Sequence, residues 1–181
     1  MISFFNYIFD VLVKGFGRYR LYKKLHEKFP GVKFSESMTI SGPLEHLILG
    51  KQVLIGEYVY LHLGGQKWSD GWGKLIMGDN CIISAHCVLY AVGKGGIEIG
   101  NNFDCAPGVK IFASKSYFED GLTKHHFGKV KIGDNVILYA NVIVGPGVTI
   151  GDNISVAANS VVTRDLNEAG LYGGCPAKKI K

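Results

Sequence analysis

The sequence predicts an all-β solenoid of about five triangular coils, preceded by a helical segment. A six-residue repeat fills residues 130–165, its phase continues backward to Leu49, and the basic, aromatic N-terminus lacks it. The repeat reads VKIGDN, VILYAN, VIVGPG, VTIGDN, ISVAAN and SVVTRD. No helix has a period of six. A strand with two-residue alternation that is broken by a turn every six residues does have this period. Each hexad is therefore a short strand followed by a corner, and three corners close one coil.

One aliphatic position of the hexad is predicted to point inward. It recurs through the chain when loops of differing length are allowed between some hexads. It falls at Leu49, Ile55, Leu61, Met77, Ile83, Leu89, Ile99, Cys105, Ile111, Ile132, Leu138, Val144, Ile150, Val156 and Val162. The three interruptions, with loops 62–76, 93–96 and 114–129, all follow the third hexad of a coil. Insertions in repeat proteins collect on one face, which is often the working face. The functional site is therefore expected along the edge where these loops leave.

The chain divides into an N-terminal helical segment (1–33), the solenoid (34–173) and a C-terminal tail (174–181). Residues 1–33 hold seven bases and two acids, whereas residues 34–181 are balanced. The body has no basic stripe for nucleic acid, so nucleic acid is not an expected partner. The apolar run 1–13 is too short to span a bilayer. Residues 1–28 are expected either to lie on an anionic membrane surface or to cap the solenoid.

The cysteines carry no metal-binding pattern. Cys81, Cys87, Cys105 and Cys175 show no CxxC spacing and no accompanying histidine cluster, so we expect no metal. Three of the four fall on inward positions, which predicts buried, reduced thiols. Reduced thiols fit a cytoplasmic protein, either free or at the inner face of the membrane.

Histidine is the natural proton acceptor near neutral pH, and three histidines are candidates. His86 falls at a corner with its side chain outward, one hexad before the loop-bearing edge. His125 and His126 lie in loop 114–129, from which either could reach a site. Loop 62–76 holds Trp68 and Trp72, which could stack on a sugar ring or pack the loop. No nucleotide-binding glycine motif is present.

The stretch 130–165 and the C-terminal GGCPAKKIK resemble the left-handed β-helix acyltransferases. Within that family they are similar to the galactoside and maltose O-acetyltransferases and the O-acetyltransferases of bacterial surface polysaccharides. The resemblance covers about residues 49–181. It implies a left-handed coil, acetyl-coenzyme A as the acyl donor, a sugar or glycan acceptor, and a homotrimer with active sites between subunits.

The resemblance also implies which residues contact the coenzyme. Ala140 and Ala158 match small residues along which the pantetheine runs. Thr163 and Arg164 in VVTRD, and two tail lysines, match the remaining contacts. The lysines, Lys178 and Lys181, would lie near the phosphates, where basic side chains make electrostatic sense.

The chain departs from the family at the catalytic histidine. The matching position holds Ser116, preceded by Lys115, whereas His86 matches an active-site asparagine one coil earlier. We expect His86 to be the base, but His125 or His126 could replace it, or catalysis could be lost.

The expected reaction is direct acetyl transfer to a sugar hydroxyl. Alternatives are N-acetylation of a nucleotide-linked amino sugar, serine acetylation, or an inactive solenoid used for assembly.

Overall fold

The structure is a computed structural model that describes the backbone of residues 2–69 and 71–181 and the side chains of residues 15–69 and 71–181. A single helix, α1 (Ile2–Lys28), precedes a series of short strands within these residues. The strands are β1 (Lys33–Phe34), β2 (Thr39–Ser41), β3 (Leu47–Leu49), β4 (Leu54–Ile55), β5 (Tyr60–His62), β6 (Leu75–Met77), β7 (Ile82–Ile83), β8 (Val88–Tyr90), β9 (Ile97–Ile99), β10 (Asp104–Cys105), β11 (Lys110–Phe112), β12 (Ser114–Glu119), β13 (Leu122–Phe127), β14 (Val130–Ile132), β15 (Ile137–Leu138), β16 (Ile143–Val144), β17 (Thr149–Ile150), β18 (Ile154–Val156), β19 (Val161–Val162), β20 (Gly170–Gly173) and β21 (Lys178–Lys179).

Three sheets form the faces of a triangular prism. Sheet A has the order β1-β4-β7-β10-β15-β18-β20-β21, sheet B the order β19-β16-β11-β8-β5-β2, and sheet C the order β17-β14-β9-β6-β3. The neighbours are parallel except for β21, which runs antiparallel to β20. The chain passes from sheet A to B to C in each coil. The fold is a left-handed parallel β-helix with an N-terminal helix, which confirms the predicted fold class.

The predicted six-residue phase holds in the register of the sheets. Ile55 pairs with Ile83, Ile83 with Cys105, and Cys105 with Leu138. All four side chains are buried in the core. The loops between coils therefore change the length of the chain but not the alignment of the inward column, because each coil contacts only its neighbours.

The solenoid also contains a coil that begins before Leu49. Phe34 in β1 pairs with Ile55, and Ile40 in β2 pairs with Leu61, so both belong to the inward phase. The inward column predicted from the sequence begins only after these residues. A further insertion, which includes a short 3₁₀ turn at Leu44–His46, separates β2 from β3 and hides the period.

The C-terminal part of α1 covers the first coil. Leu25 and Phe29 are buried in the same core as the strands, and the Tyr22 hydroxyl donates to the Ser35 carbonyl. The Lys28 ammonium donates to the Leu47 carbonyl at 3.1 Å. This geometry supports the capping alternative for this part of the helix.

The membrane alternative depends mainly on side chains 1–13, which lie outside the described residues. Within the part of the chain searched, no helix has the length and hydropathy needed to cross a membrane.

The corner between sheets C and A, called here the C–A corner, repeats one turn through the molecule. Each turn begins with a glycine, and in all but the last turn a Cβ at this position would collide with the next coil. The Asp79 amide donates to Asn101 Oδ1 at 2.9 Å, and the Asp134 amide donates to Asp152 Oδ1 at 2.8 Å. The glycines are Gly50, Gly78, Gly100, Gly133 and Gly151. This regular ladder satisfies the turn amides and holds the coils together.

Candidate active site

The three predicted loops leave the prism between sheets B and C, a line called here the B–C edge. They follow β5, β8 and β11, and the insertion between β2 and β3 leaves at the same edge. The loops contact one another. Gly73 pairs with Val92, and the Gly93 amide donates to the Trp72 carbonyl at 3.0 Å. The prediction that the loops share one edge is confirmed, and they form a continuous ridge there.

The longest insertion is an antiparallel hairpin and not an irregular loop. Strands β12 and β13 pair from Ser114–Phe127 to Glu119–Leu122, joined by Asp120 and Gly121. These two turn residues have φ of 51° and 72°, as the tight turn of a two-residue hairpin requires. At the base, the Gly128 amide donates to the Ala113 carbonyl at 2.8 Å. The hairpin therefore leaves and rejoins the solenoid at one point.

The hairpin brings His125 next to Ser116, the residue that the resemblance matches to a catalytic histidine. Ser116 Oγ lies 3.1 Å from His125 Nδ1. The Trp68 ring, from the neighbouring loop, lies over the imidazole with ring centroids 4.4 Å apart and an interplanar angle of 31°. Phe127 lies parallel to Trp68, at 6.1 Å and 13°. His125 is half-buried and restrained on two sides, an arrangement that suits a proton acceptor.

His126 lies on the other face of the hairpin. Consecutive residues in a strand point to opposite faces, so His126 shares its face with its cross-strand partner Lys115. Its side chain is exposed. The structure thus separates the two adjacent histidines, which the sequence alone does not distinguish.

His86 lies at the corner between sheets A and B, called here the A–B corner. Its ring stacks on Tyr58 of the preceding coil, at 5.0 Å and 8°. It has a φ of 59°, and its amide donates to the Glu57 carbonyl at 2.9 Å. The side chain is exposed, one corner before the loop edge, as the hexad phase predicts. Within one chain, the width of sheet B separates His86 from the B–C edge.

The predicted coenzyme residues lie in three places. Ala140 and Ala158 occupy equivalent positions at the A–B corner, where the Asn159 amide donates to the Ala140 carbonyl at 2.9 Å. Thr163 and Arg164 follow β19 at the B–C edge and are exposed. The tail residues Lys178 and Lys181 are exposed beside the last strands of sheet A. One chain therefore does not bring all six residues together.

The core cysteines are poorly suited to nucleophilic chemistry. Cys81, Cys87 and Cys105 are buried, which confirms the predicted inward positions, and Cys175 is exposed. Burial raises the pKa of Cys81. A hydrogen bond with Cys87, at an Sγ–Sγ distance of 3.7 Å, and burial together raise the pKa of Cys105. The raised pKa values disfavour the reactive thiolate at Cys81 and Cys105. The hydrogen bond with Cys105 lowers the pKa of Cys87, but the Cys87 side chain is fully buried and away from any substrate.

Two features of the site do not follow from the sequence-based predictions. The Ser116–His125 pair could have been found by treating Asp120-Gly121 as a two-residue hairpin turn and counting outward, which places Ser116 opposite His125. His62 is the second feature. It is buried on the outer face of sheet B, directly before the B–C edge, and burial lowers its pKa. No simple sequence pattern distinguishes it from a loop histidine.

Known proteins share both the repeat and the fold. The family described as bacterial transferase hexapeptide (six repeats) matches residues 129–164. Protein CapG of Staphylococcus aureus is 44% identical over 94 residues, covering 47% of this chain and 52% of CapG. The galactoside O-acetyltransferase of Escherichia coli (strain K12) is 33% identical over 138 residues, covering 72% of this chain and 68% of the relative. The chain thus spans about half the length of CapG and about two thirds of the galactoside enzyme.

A solved structure extends the similarity over most of the chain. A mutant of AntD, an N-acyltransferase from Bacillus cereus in complex with dTDP and coenzyme A, superposes with a TM-score of 0.73 at 26% identity. The match covers 88% of this chain and 87% of AntD. Together with the family match and the galactoside O-acetyltransferase, this similarity places the chain in a family. It belongs to the hexapeptide-repeat transferases, in the group that includes the galactoside O-acetyltransferase.

Proposed function

We propose that the protein is an acetyl-coenzyme A-dependent O-acetyltransferase that acetylates a sugar hydroxyl, with His125 as the general base. The observation that carries the assignment is the 3.1 Å contact between His125 Nδ1 and Ser116 Oγ. Ser116 stands where the resembling family has its catalytic histidine. The imidazole therefore lies beside that position, supplied by the opposite strand of the hairpin.

The contact with Ser116 is compatible with the protonation pattern that a base needs. When Nδ1–H donates to Ser116 Oγ, the proton of the neutral ring is on Nδ1 and the Nε2 lone pair is free. Trp68 limits rotation of the ring, because it lies 4.4 Å away, centroid to centroid. His86 has a different environment, exposed at the A–B corner and stacked on Tyr58. These contacts favour His125 over His86.

The reaction is direct transfer without an acyl-enzyme. The acceptor oxygen attacks the thioester carbonyl carbon of acetyl-coenzyme A, while His125 Nε2 takes the hydroxyl proton. The tetrahedral intermediate collapses, the carbon–sulfur bond breaks, and the imidazolium returns the proton to the departing thiolate. A correctly placed base is worth roughly 10²–10⁴ in rate. The three core thiols are buried, so none of them serves as a nucleophile on this route.

We further propose that two copies of the chain, within a homotrimer, complete each site. His125, Thr163 and Arg164 belong to the B–C edge, whereas Ala140 and Ala158 belong to the A–B corner on the other side of sheet B. A coenzyme that contacts both groups is accommodated when the edge of one subunit meets the corner of the next. Lys178 and Lys181 would then neutralise phosphate charge.

A sugar acceptor is supported by the relatives, and one of them favours a second candidate. The galactoside O-acetyltransferase is named for a sugar acceptor, and we propose a glycan of the cell surface as the natural substrate. AntD is an N-acyltransferase that binds dTDP together with coenzyme A, and it matches most of this chain. N-acetylation of a nucleotide-linked amino sugar is therefore the second candidate.

The test is release of free coenzyme A thiol from acetyl-coenzyme A in the presence of defined acceptors. The panel contains methyl β-galactoside, maltose, a dTDP-linked amino sugar and serine, the last of which tests the serine acetylation alternative. The O-acetyltransferase proposal expects thiol release and an O-acetyl ester with a simple sugar. Turnover of only the amino sugar would select the second candidate. A protein that gives no thermal shift with millimolar coenzyme A and no turnover would contradict both.

A further inference from the structure

A cluster on the outer face of sheet B has no role in the chemistry described above. It consists of Tyr60 and His62 of β5 and Tyr90 of β8, and is called here the sheet B cluster. His62 is only 6% exposed although it points away from the core, because alternation along β5 turns Leu61 inward. The His62 ring lies 4.6 Å from the Tyr90 ring and 5.8 Å from the Tyr60 ring, centroid to centroid. A nearly buried histidine among tyrosines on an outer face calls for a ligand or a packing role.

The hydrogen bonds of His62 determine what it offers to a ligand. The Gly64 amide donates to His62 Nδ1 at 3.2 Å, so Nδ1 carries no proton. Burial lowers the pKa of His62, which keeps the ring neutral near pH 7 and leaves its proton on Nε2. His62 Nε2 has no hydrogen-bond partner among the described residues. Every buried side-chain nitrogen and oxygen among them does have a partner, so Nε2 is not buried and reaches the surface as an oriented donor.

The cluster lies next to the site proposed above. His62 is the last residue of β5, and the loop that begins there carries Trp68, which contacts His125. His62 and Tyr90 are in register on neighbouring strands, and Tyr90 is in register with Phe112. Phe112 is the last residue of β11, and only Ala113 separates it from the first strand of the hairpin. The cluster therefore lines sheet B at the foot of the loops that hold the base.

We propose that the sheet B cluster binds the ring of the acceptor sugar, with His62 Nε2–H donating to a ring hydroxyl and the tyrosine rings contacting the C–H face. This inference rests on the proposed function, because it assigns the acceptor to the same site. The chemistry fits an uncharged pyranose, because the cluster offers apolar rings and a neutral donor in place of a cation. A phosphate or carboxylate would instead need a positive charge beside it.

The test separates sugar binding from packing by two substitutions at one position. His62→Phe keeps an aromatic ring and removes the donor, whereas His62→Gln places an amide N–H near the Nε2 position. With methyl β-galactoside or maltose, His62→Phe should raise the sugar KM about tenfold, and His62→Gln should stay within about threefold of the wild type. The KM for acetyl-coenzyme A should change by less than about twofold in both.

A matched control is His46→Phe. His46 Nδ1 lies 2.8 Å from the Leu63 carbonyl, so this histidine contacts the foot of the same loop without belonging to the cluster. It should leave the sugar KM unchanged. If His62→Phe does not fold, Tyr90→Leu supplies the measurement, because it removes an aromatic face and keeps apolar volume. That variant should also raise the sugar KM.

The outcomes distinguish this inference from the proposed function. An unchanged sugar KM in His62→Phe, or in Tyr90→Leu where the first variant does not fold, overturns the assignment of the cluster and leaves the acetyltransferase proposal intact. A sugar KM raised equally in His62→Phe and His46→Phe also overturns it, because loop packing would then explain both. A wild-type protein that binds coenzyme A but acetylates no sugar overturns the sugar acceptor itself.

Discussion

The C–A corner and the B–C edge are built from the same coils, yet they differ in almost every respect. At the C–A corner every turn begins with a glycine, and in every turn but the first an Asp or Asn follows whose side chain accepts the amide of the preceding turn. At the B–C edge the turns differ in length and include the hairpin with His125. Uniform turns maximise contacts between coils, whereas dissimilar turns can present chemistry. Substitutions at the corner should therefore change stability, and those at the edge should change activity.

The largest expected effect is loss of turnover on replacing the base at the B–C edge. His125→Ala should lower kcat by roughly 10²–10⁴, because no other group would take the acceptor proton. The midpoint of denaturant unfolding should hardly change, since the hairpin stands outside the core. Steady-state kinetics and urea titration measure the two quantities.

Three further variants sharpen that comparison. Ser116→Ala should lower kcat by about five- to tenfold, because it removes one hydrogen bond that orients His125. His126→Ala, on the opposite face of the hairpin, should stay near wild type. If His86→Ala abolishes turnover while His125→Ala keeps it, the base lies at the A–B corner and the assignment of His125 is wrong.

The next effect is on stability, at the C–A corner. A Cβ on Gly78 would lie 2.6 Å from Asn101 Oδ1 and 2.7 Å from the Gly100 carbonyl oxygen, so Gly78→Ala forces neighbouring coils apart. We expect a loss of about 1–3 kcal/mol in the free energy of unfolding, with kcat of the folded protein unchanged. Gly145→Ala is the control, because its nearest neighbour would be 3.5 Å away. Equal loss in both variants would argue against a special role for the corner.

The smallest effect concerns the tail. Removing both charges in Lys178→Ala/Lys181→Ala should raise the KM for acetyl-coenzyme A about two- to fivefold at low salt, with little effect at high salt. These lysines are exposed, so screening limits their contribution. Lys51→Ala, an exposed lysine of an early coil, provides the comparison. A salt-independent change, or the same change in Lys51→Ala, would remove the tail from the coenzyme site.

The coils could be predicted from the sequence because their physics is local and periodic. An inward residue every six positions identifies Val156 directly and Ile83 once the phase is followed backward from residues 130–165, and the register confirms that phase. The first coil is missing from the sequence-based prediction because the insertion before Leu47 breaks the six-residue period. The sequence analysis predicts a loop at residues 114–129, whereas the structure has a hairpin, which Asp120-Gly121 and the alternation around it indicate.

The candidate site was harder to predict because it depends on contacts between insertions. The contact between Trp68 and His125 joins two loops separated by more than one coil, and no period relates them. His62 is likewise buried where it contacts Tyr90 on a neighbouring strand and the Gly64 amide in the loop that follows. The positions of the interruptions predict the edge, whereas only the side-chain packing distinguishes His125 from the adjacent His126.

The hydrogen bond that closes the hairpin has a consequence for how such proteins diversify. Because the Gly128 amide meets the Ala113 carbonyl, the insertion begins and ends at one point of the scaffold. A different insertion could be grafted between these two residues without shifting the inward column of any coil. The solenoid is thus a constant scaffold with one replaceable segment, and exchange of that segment can change the loop edge while the coils stay unaltered.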